Sequence, residues 1–194
     1  MKIFPHFSVV GFCNTYLVGG PAGGPAIIID PGYVDNDLIN LIQKQEYVIT
    51  DVLFTHSHDA HVKGVGTLMK VYRPRLHGAF SRIRSFPLLP VSHNEIFSCA
   101  GLSVMPIHVP GHSIDSMVYR IGDALFTGDA LASGHVGSTS GYREHALLVN
   151  MVTSRLLSMD DRLLVFPGHG APSSILIEKL FNRDIEDRAS YLGK

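Results

Sequence analysis

The chain has 194 residues, and 45% of them are hydrophobic, which suits a single folded domain with a sizeable core and argues against disorder. Its 16 basic and 17 acidic residues leave a net charge of -1. This balance excludes a general attraction to nucleic acid or to an anionic membrane, so we expect no nucleic-acid or membrane partner.

Short β-branched runs alternate with helical patterns along the chain, which predicts an α/β fold. The first half predicts the strands "TYLV", "AIIID" and "DVLFT" and the helices "DNDLINLIQKQ" and "DAHVKGVGTLMKVY", with "GGPAGGP" at 19–25 as a hairpin loop. The second half predicts the strands "LSVMPIHV", "SMVYRI", "DALFTG" and "LLVFP", a helix at about 142–158, and a last helix beginning near Ser174. No repeat or boundary interrupts this order, so we expect one domain over 1–194.

Three histidines follow the buried strand that ends in "VLFT". His56 and His58 are two residues apart, so in an extended segment both side chains project from the same face. Asp59 at or near the N-cap of the next helix turns the chain and presents His61 from the first helical turn. Three imidazoles therefore converge from two directions, which favours a metal site over three unrelated surface histidines.

Three later turns each carry one more ligand-type residue at the end of a predicted strand, where α/β proteins place their chemistry. These are His112 in "HVPGHSIDS", Asp129 in "ALFTGDAL" and His169 in "LLVFPGHGAP". A set of imidazoles with one carboxylate suits Zn²⁺ or Fe²⁺, whereas Ca²⁺ and Mg²⁺ require more oxygen ligands.

Five motifs in this order resemble the metallo-β-lactamase superfamily, and within it the short glyoxalase II-like (hydroxyacylglutathione hydrolase-like) proteins. They are "NTYLV" with "IIIDPG", "THSHDAH", "PGHSIDS", "LFTGDAL" and "FPGHGAPSSILIEKLFN". The resemblance implies an αββα sandwich with the metal site at one edge of its two sheets. It also implies two metal positions: one held by His56, His58 and His112, a second held by His61 and His169, with Asp129 bridging both.

One ligand of the family motif is absent from this chain. The motif aspartate should stand immediately before His61, where this sequence has Ala60, and a carboxylate stands one residue earlier as Asp59. Either Asp59 turns inward, where it orients the attacking water or completes the second site as a tentative catalytic residue, or it turns outward and only caps the helix. The resemblance therefore predicts one or two Zn²⁺ ions, with Fe²⁺ as the alternative metal.

The implied chemistry is hydrolysis of a small thioester, ester or lactone by a metal-bound hydroxide, because a bound cation lowers the pKa of its water to about 7. Two alternatives stay open: a mononuclear iron persulfide (sulfur) dioxygenase, and a non-catalytic metal-binding relative. Glutathione recognition is not supported, because the few residues after Asn182 leave no counterpart of the glutathione-binding domain of full-length glyoxalase II.

Two features predict a cytoplasmic location. The N-terminus has no charged leader followed by a long apolar run, and no segment has the length of a membrane span. The two cysteines, Cys13 and Cys99, lie outside any Cys-x-x-Cys pattern, so we expect reduced thiols rather than a disulfide or a thiolate metal site.

Overall fold

The computed structural model describes residues 1–185. The strands in this part of the chain are β1 (Lys2–Phe7), β2 (Asn14–Gly19), β3 (Gly24–Ile29), β4 (Tyr47–Leu53), β5 (Arg75–Gly78), β6 (Arg82–Ile83), β7 (Phe86–Pro87), β8 (Leu89–Pro90), β9 (Phe97–Cys99), β10 (Leu102–His108), β11 (Met117–Ile121), β12 (Ala124–Gly128), β13 (Leu131–Ala132), β14 (His135–Val136), β15 (Leu164–Pro167) and β16 (Ser173–Ser174). The helices are α1 (Asn36–Lys44), α2 (Asp59–Val62), α3 (Val65–Val71), α4 (Tyr142–Arg155) and α5 (Ile175–Phe181).

Most strands belong to two six-stranded sheets. The first sheet has the order β1-β2-β3-β4-β5-β8, antiparallel as far as β3 and parallel from β3 onward. The second has the order β16-β15-β12-β11-β10-β9, in which only β12 and β15 pair in parallel. The pairs β6–β7 and β13–β14 form two short ribbons.

The hydrophobic core is divided into three layers, which confirms the αββα arrangement. Between the sheets, Tyr16 and Ile29 of the first sheet pack with Tyr119 and Phe126 of the second. The outer face of the first sheet packs against α1, α2 and α3, and the outer face of the second sheet against α4 and α5. Helices therefore cover the outer face of each sheet, and the second sheet covers its inner face. The strand ends and the loops that follow them stay uncovered by these layers.

The structure confirms the predicted strands and helices except for one helix. The helix predicted over 59–72 is two short helices, α2 and α3, separated at Gly64. The N–H of Gly64 donates to the carbonyl of Pro31, and a Cβ at Gly64 would lie only 2.6 Å from that oxygen. This close approach redirects the chain between α2 and α3. The sequence patterns also missed β1, β5 and β9, which lack a strict apolar alternation, and the two-residue strands β6, β7, β8, β13, β14 and β16.

A buried polar cluster around Asp51 ties the two sheets together away from the predicted metal ligands. The carboxylate of Asp51 on β4 accepts hydrogen bonds from His77 and Arg75 on β5 and from the hydroxyl of Thr50. It also accepts the backbone N–H of Ala100, which follows β9 of the second sheet. Burial alone raises the pKa of Asp51, but these hydrogen bonds outweigh burial and hold the pKa well below its usual range.

The predicted metal ligands follow the ends of strands, and these strand ends lie at the same edge of the two sheets. The ends of β10, β12 and β15 lie together because these strands run in one direction. The first sheet joins this edge through hydrogen bonds from Met117 N–H to the Thr55 carbonyl and from Asn14 N–H to the Gly168 carbonyl. Within residues 1–185, no helix combines the length and the apolar character needed to cross a bilayer.

Candidate metal centre

Three histidines from two loops form the first half of the site. Nitrogen atoms of His56, His58 and His112 all lie within 4.8 Å of one another. His58 Nδ1 lies 2.9 Å from His112 Nε2, and His112 Nδ1 lies 2.7 Å from the carbonyl oxygen of Ser138, to which it donates. That hydrogen bond fixes the ring of His112 with Nε2 facing the other two imidazoles.

Asp129 connects this half of the site to His61. Ligand atoms of His56, His61 and Asp129 also lie within 4.8 Å of one another. The Oδ2 atom of Asp129 is 3.4 Å from His61 Nε2, 3.8 Å from His112 Nε2 and 4.0 Å from His56 Nε2. One carboxylate oxygen therefore faces three imidazoles, as a metal-binding carboxylate would.

A second carboxylate, Asp30, holds two of these imidazoles from behind. Its Oδ2 accepts the Thr55 hydroxyl at 2.6 Å and His61 Nδ1 at 2.9 Å. Because the Thr55 hydroxyl hydrogen is directed to Asp30, the 3.1 Å contact with His56 Nδ1 has the ring as donor. Both rings thus carry hydrogen on Nδ1 and present Nε2 to the site, which is how a carboxylate behind a ligand orients it.

Sequence reasoning missed the roles of Asp30, Thr55 and Ser138. Asp30 had a signal, since it follows the apolar strand β3 in "IIIDPG", at the same sheet edge as the histidines that follow β4. The Ser138 contact is made by a backbone carbonyl, for which the sequence carries no signal.

The buried imidazole nitrogens supply the test of whether a metal fits here. His56 Nε2 and His61 Nε2 are buried and have no hydrogen-bond partner among the described residues. Such atoms are costly in a folded protein unless a ligand binds them. Imidazole nitrogens with a carboxylate oxygen are a donor set that Zn²⁺ and Fe²⁺ accept, so the residues fit a divalent metal.

The electrostatics distinguish the two halves of the site. Burial, and next the positive charge of His61, lowers the pKa of His56 to about 2, and burial also lowers the pKa of His112. Both rings are therefore neutral, the form that binds a metal. Burial opposes charge on His61, yet the carboxylates of Asp30 and Asp129 raise its pKa well above the usual value.

His169 lies beside Asp129 but belongs to neither group of converging ligand atoms. Its Nδ1 is 2.8 Å from Asp129 Oδ1, and its Nε2 is 3.0 Å from the carbonyl oxygen of Gly11. The hydrogen bond to Asp129 raises the pKa of His169. Both ring nitrogens of His169 thus face protein oxygens, and His61 Nε2 is the imidazole nitrogen of the predicted second position that has no hydrogen-bond partner within residues 1–185.

Asp59 lies outside the site in this structure. It is the first residue of α2, the N-cap position belongs to His58, and no side chain caps this helix. The Asp59 side chain is 84% exposed and pairs with Arg84 at 2.5 Å. Asp59 therefore has the outward orientation of the two that were considered, but it does not make the expected capping hydrogen bond. Ala60 provides no carboxylate in its place.

Two glycines allow the ligand loops to approach one another. A Cβ at Gly128, which has a φ of +51°, would lie 2.3 Å from the Thr55 hydroxyl oxygen. A Cβ at Gly168 would lie 2.5 Å from His61 Cε1 and 2.6 Å from Asp129 Oδ1. Any side chain at either position would separate the two sheets at the site, which explains the glycines in "TGDA" and "PGHG".

The comparison with protein families agrees with this geometry. The sequence profile of the family described as the metallo-beta-lactamase superfamily matches residues 8–79 and 79–169. The chain belongs to the metallo-β-lactamase superfamily. The family match thus spans the loops that carry all six predicted metal ligands.

Individual members of the superfamily resemble this chain to different extents. An atrochrysone carboxyl ACP thioesterase of Aspergillus novofumigatus is 32% identical over 173 residues, which is 86% of this chain and 52% of the thioesterase. The chain thus spans about half the length of that relative. The crystal structure of ETHE1 from Myxococcus xanthus is 28% identical with a TM-score of 0.86, covering 100% of this chain and 92% of that one.

A third similar structure supports the fold alone. The BLEG-1 B3 metallo-beta-lactamase has a TM-score of 0.85 at 21% identity and covers 95% of this chain and 99% of its own. The two sheets and their covering helices are therefore those of the superfamily.

Proposed function

We propose that this protein is a metal-dependent hydrolase of small thioesters, with esters and lactones as further substrates, and that it belongs to the short glyoxalase II-like members of its superfamily. The observation that carries the proposal is the convergence of neutral imidazoles and unpartnered nitrogens on Asp129. The thioesterase among the relatives supports the thioester as substrate class. Free, buried Cys13 and Cys99 are compatible with the cytoplasmic location we propose.

His56, His58, His112 and Asp129 would hold the ion. When bound, a divalent ion polarises the scissile carbonyl and lowers the pKa of a water to about 7 for Zn²⁺. The chain's own groups orient the ligands: Asp30 through Thr55 for His56, and the Ser138 carbonyl for His112. A thioester is preferred to an amide because a thiolate leaves without a dedicated general acid.

We propose a single tightly held ion, Zn²⁺ in the hydrolase. Ala60 removes one carboxylate from the second position, and the ring nitrogens of His169 face the Asp129 carboxylate and the Gly11 carbonyl. A second ion near His61 would therefore meet only one carboxylate, Asp129, on the side that faces the ligand cluster.

A mononuclear iron persulfide dioxygenase is the second candidate function. The observation that favours it is the same loss of the second position, because such an enzyme needs only two histidines and the bridging aspartate, Asp129, as protein ligands. In that case the metal is Fe²⁺, and the reaction consumes molecular oxygen together with water.

One experiment separates these functions. The protein is purified without added metal, its metal content is measured by mass spectrometry, and thiol release is followed on a panel of acyl-N-acetylcysteamine and acyl-coenzyme A thioesters. Oxygen uptake on glutathione persulfide is measured in parallel. The matched controls are His58→Ala, which removes a ligand, and His93→Ala, which removes an exposed imidazole outside the site.

The hydrolase proposal predicts thioester cleavage with zinc that is lost in His58→Ala and kept in His93→Ala. Iron-dependent oxygen uptake without thioester cleavage would establish the dioxygenase instead. A protein that binds metal and converts none of these substrates would support the non-catalytic alternative.

A further inference from the structure

The charges of this chain are distributed unevenly along the sequence. Residues 60–94 contain six of the 16 basic residues and none of the 17 acidic residues, so this segment is strongly positive although the whole chain has a net charge of -1. The segment begins directly before the predicted ligand His61 and includes α3, β5 and the β6–β7 ribbon. Its basic residues are Lys63, Lys70, Arg73, Arg75, Arg82 and Arg84. A positive segment beside a metal centre attracts an anionic substrate.

Two arginines of the β6–β7 ribbon lie beside the loop that begins at His56. Arg84 donates to the carboxylate of Asp59 in this loop at 2.5 Å. Arg82 and His56 line the same cavity. Ile83, between the two arginines, is buried in the outer core of the first sheet, whereas both arginines are exposed. Packing therefore fixes the ribbon at this place and leaves its two guanidinium groups at the surface.

A third cation, Lys63, continues this row of charges at the end of α2. Asp59 and Lys63 are four residues apart, and helical side chains at that spacing are neighbours. Both residues also line the cavity of about 170 Å³ at this end of the site. Arg82, Arg84 and Lys63 thus surround a single carboxylate. We call these three basic residues the cationic patch.

The cationic patch keeps a net positive charge. Within residues 1–185, Arg84 pairs with Asp59, whereas Lys63 and Arg82 form no ion pair with a carboxylate. Asp115 is 6% exposed and lines the same cavity as Arg82, but the two side chains lie beyond ion-pair distance. Two exposed positive charges beside the metal ligands are therefore available to an anionic group of a substrate.

The charge and position of the cationic patch match phosphate on the thiol part of a thioester. A phosphate monoester carries about −1.5 to −2 charges at pH 7, and guanidinium groups bind phosphate through paired hydrogen bonds. In a phosphorylated pantetheine the phosphate is roughly thirteen bonds from the sulfur, about 15 Å when extended, since three backbone bonds span about 3.3–3.6 Å. Such a phosphate must be bound beside the metal ligands rather than among them, which is where Lys63 and Arg82 lie.

We propose that the cationic patch binds the phosphate of a phosphorylated pantetheine thiol, so that the substrate of the metal centre is an acyl thioester of the coenzyme A type. This inference rests on the proposed thioester hydrolysis. The exposed Lys70 and Arg73, farther along the same segment, add attraction at longer range. The same phosphate occurs in free coenzyme A and in the phosphopantetheine arm of a carrier protein, and the experiment separates these two sources.

Matched thioesters test the substrate class. One acyl group is presented to the zinc-loaded protein on uncharged pantetheine, on 4′-phosphopantetheine and on coenzyme A, and thiol release is measured. In the wild-type chain kcat/KM should be roughly tenfold to a hundredfold higher on coenzyme A than on pantetheine, because hydrogen bonds to charged groups are stronger than neutral ones. This ratio should fall as salt is added, because salt screens exposed charges. A coenzyme A thioester better than the phosphopantetheine thioester indicates the free coenzyme, and equal values for these two indicate the carrier-bound arm.

Variants assign the selectivity to the patch. In the double variant Lys63→Ala/Arg82→Ala, the ratio of kcat/KM between the coenzyme A and pantetheine thioesters should fall to within about threefold of one. Lys44→Ala is the matched control and should keep the wild-type ratio. Lys44 is an exposed lysine at the end of α1, which precedes the start of β4, whereas the ligands follow the end of β4. Circular dichroism and the Tm of each variant verify that it is folded.

Binding of desulfo-coenzyme A, which has no thiol, gives a readout that does not depend on hydrolysis. Calorimetry should show binding to the wild-type chain that is lost in the double variant and kept in Lys44→Ala. Equal kcat/KM on all three thioesters would overturn the proposal, as would wild-type selectivity in the double variant. If no thioester is cleaved, the proposed hydrolase fails, and desulfo-coenzyme A then decides the patch alone: binding lost in the double variant supports it, and absence of binding to the wild-type chain overturns it.

Discussion

Restoring the missing carboxylate should create the second metal position. Ala60 is half-buried beside the backbone of Gly11, and a cavity of about 170 Å³ lies next to it, lined in part by Gly32 and Lys63. An aspartate at position 60 therefore has room for its carboxylate. We expect Ala60→Asp to raise the metal content from about one to about two ions per chain.

Coulomb's law gives the magnitude. Two unit charges 4 Å apart interact with about 4 kcal/mol at an effective dielectric constant of 20, and a divalent ion doubles this attraction. Desolvation of the carboxylate removes most of the gain. If only about 2 kcal/mol survives, the second ion binds about 30-fold more tightly, because each 1.4 kcal/mol is a factor of ten.

The assay is a Zn²⁺ titration by isothermal calorimetry, with metal content verified by mass spectrometry after desalting. Asp59→Ala is the matched control. The Asp59 carboxylate is 84% exposed and pairs with Arg84, so removing it should leave the metal content unchanged and cost less than about 1 kcal/mol of stability. The double variant Asp59→Ala/Ala60→Asp should behave like Ala60→Asp. Two tight ions in the wild-type chain, or loss of an ion in Asp59→Ala, would refute this reasoning.

Three other substitutions test the site and the fold. His58→Ala should abolish the stabilisation by metal, about 2.7 kcal/mol at a hundred times Kd, in calorimetric scans with and without Zn²⁺; an undiminished shift in Tm would exclude His58 as a ligand. Asp51 has a lowered pKa, so its charge stabilises the fold above about pH 4 and this contribution is lost as the pH falls. Asp51→Asn should cost about 1.5–3 kcal/mol at neutral pH and weaken the acid dependence in urea titrations, and an unchanged acid limb would contradict this. Gly128→Ala forces a Cβ to within 2.3 Å of the Thr55 hydroxyl and should lower both Tm and metal content, whereas Gly134→Ala, with a φ of +84° and open space around it, should lower Tm slightly and leave the metal content alone.

The sequence was sufficient to predict the elements that carry the ligands. The spacing of His56, His58 and His61 after an apolar strand predicted imidazoles converging from a strand end and a helix, and the structure places them so. The reason is local: period-two projection and a helical turn depend only on neighbouring residues. The αββα layering came from the family resemblance, because periodicity does not specify which strands share a sheet.

The second half of the site depends on contacts between distant residues. The outward-facing side chain of Asp59 pairs with Arg84, which is 25 residues away along the chain. His169 Nε2 contacts the carbonyl oxygen of Gly11, which is 158 residues away. The break between α2 and α3 follows from the approach of Gly64 to Pro31. None of these contacts has a periodic signal, so only the folded chain reveals them.

A single bound ion is proposed to enable hydrolysis, and adding metal back to chelated protein tests this most directly. Thiol release from the best thioester of the panel is measured as Zn²⁺ is added in known ratios to metal-free protein. We predict no activity without metal, a linear rise with added ion, and a plateau at about one ion per chain. Full activity in protein verified to be metal-free, or a plateau reached only at two ions, would contradict the account.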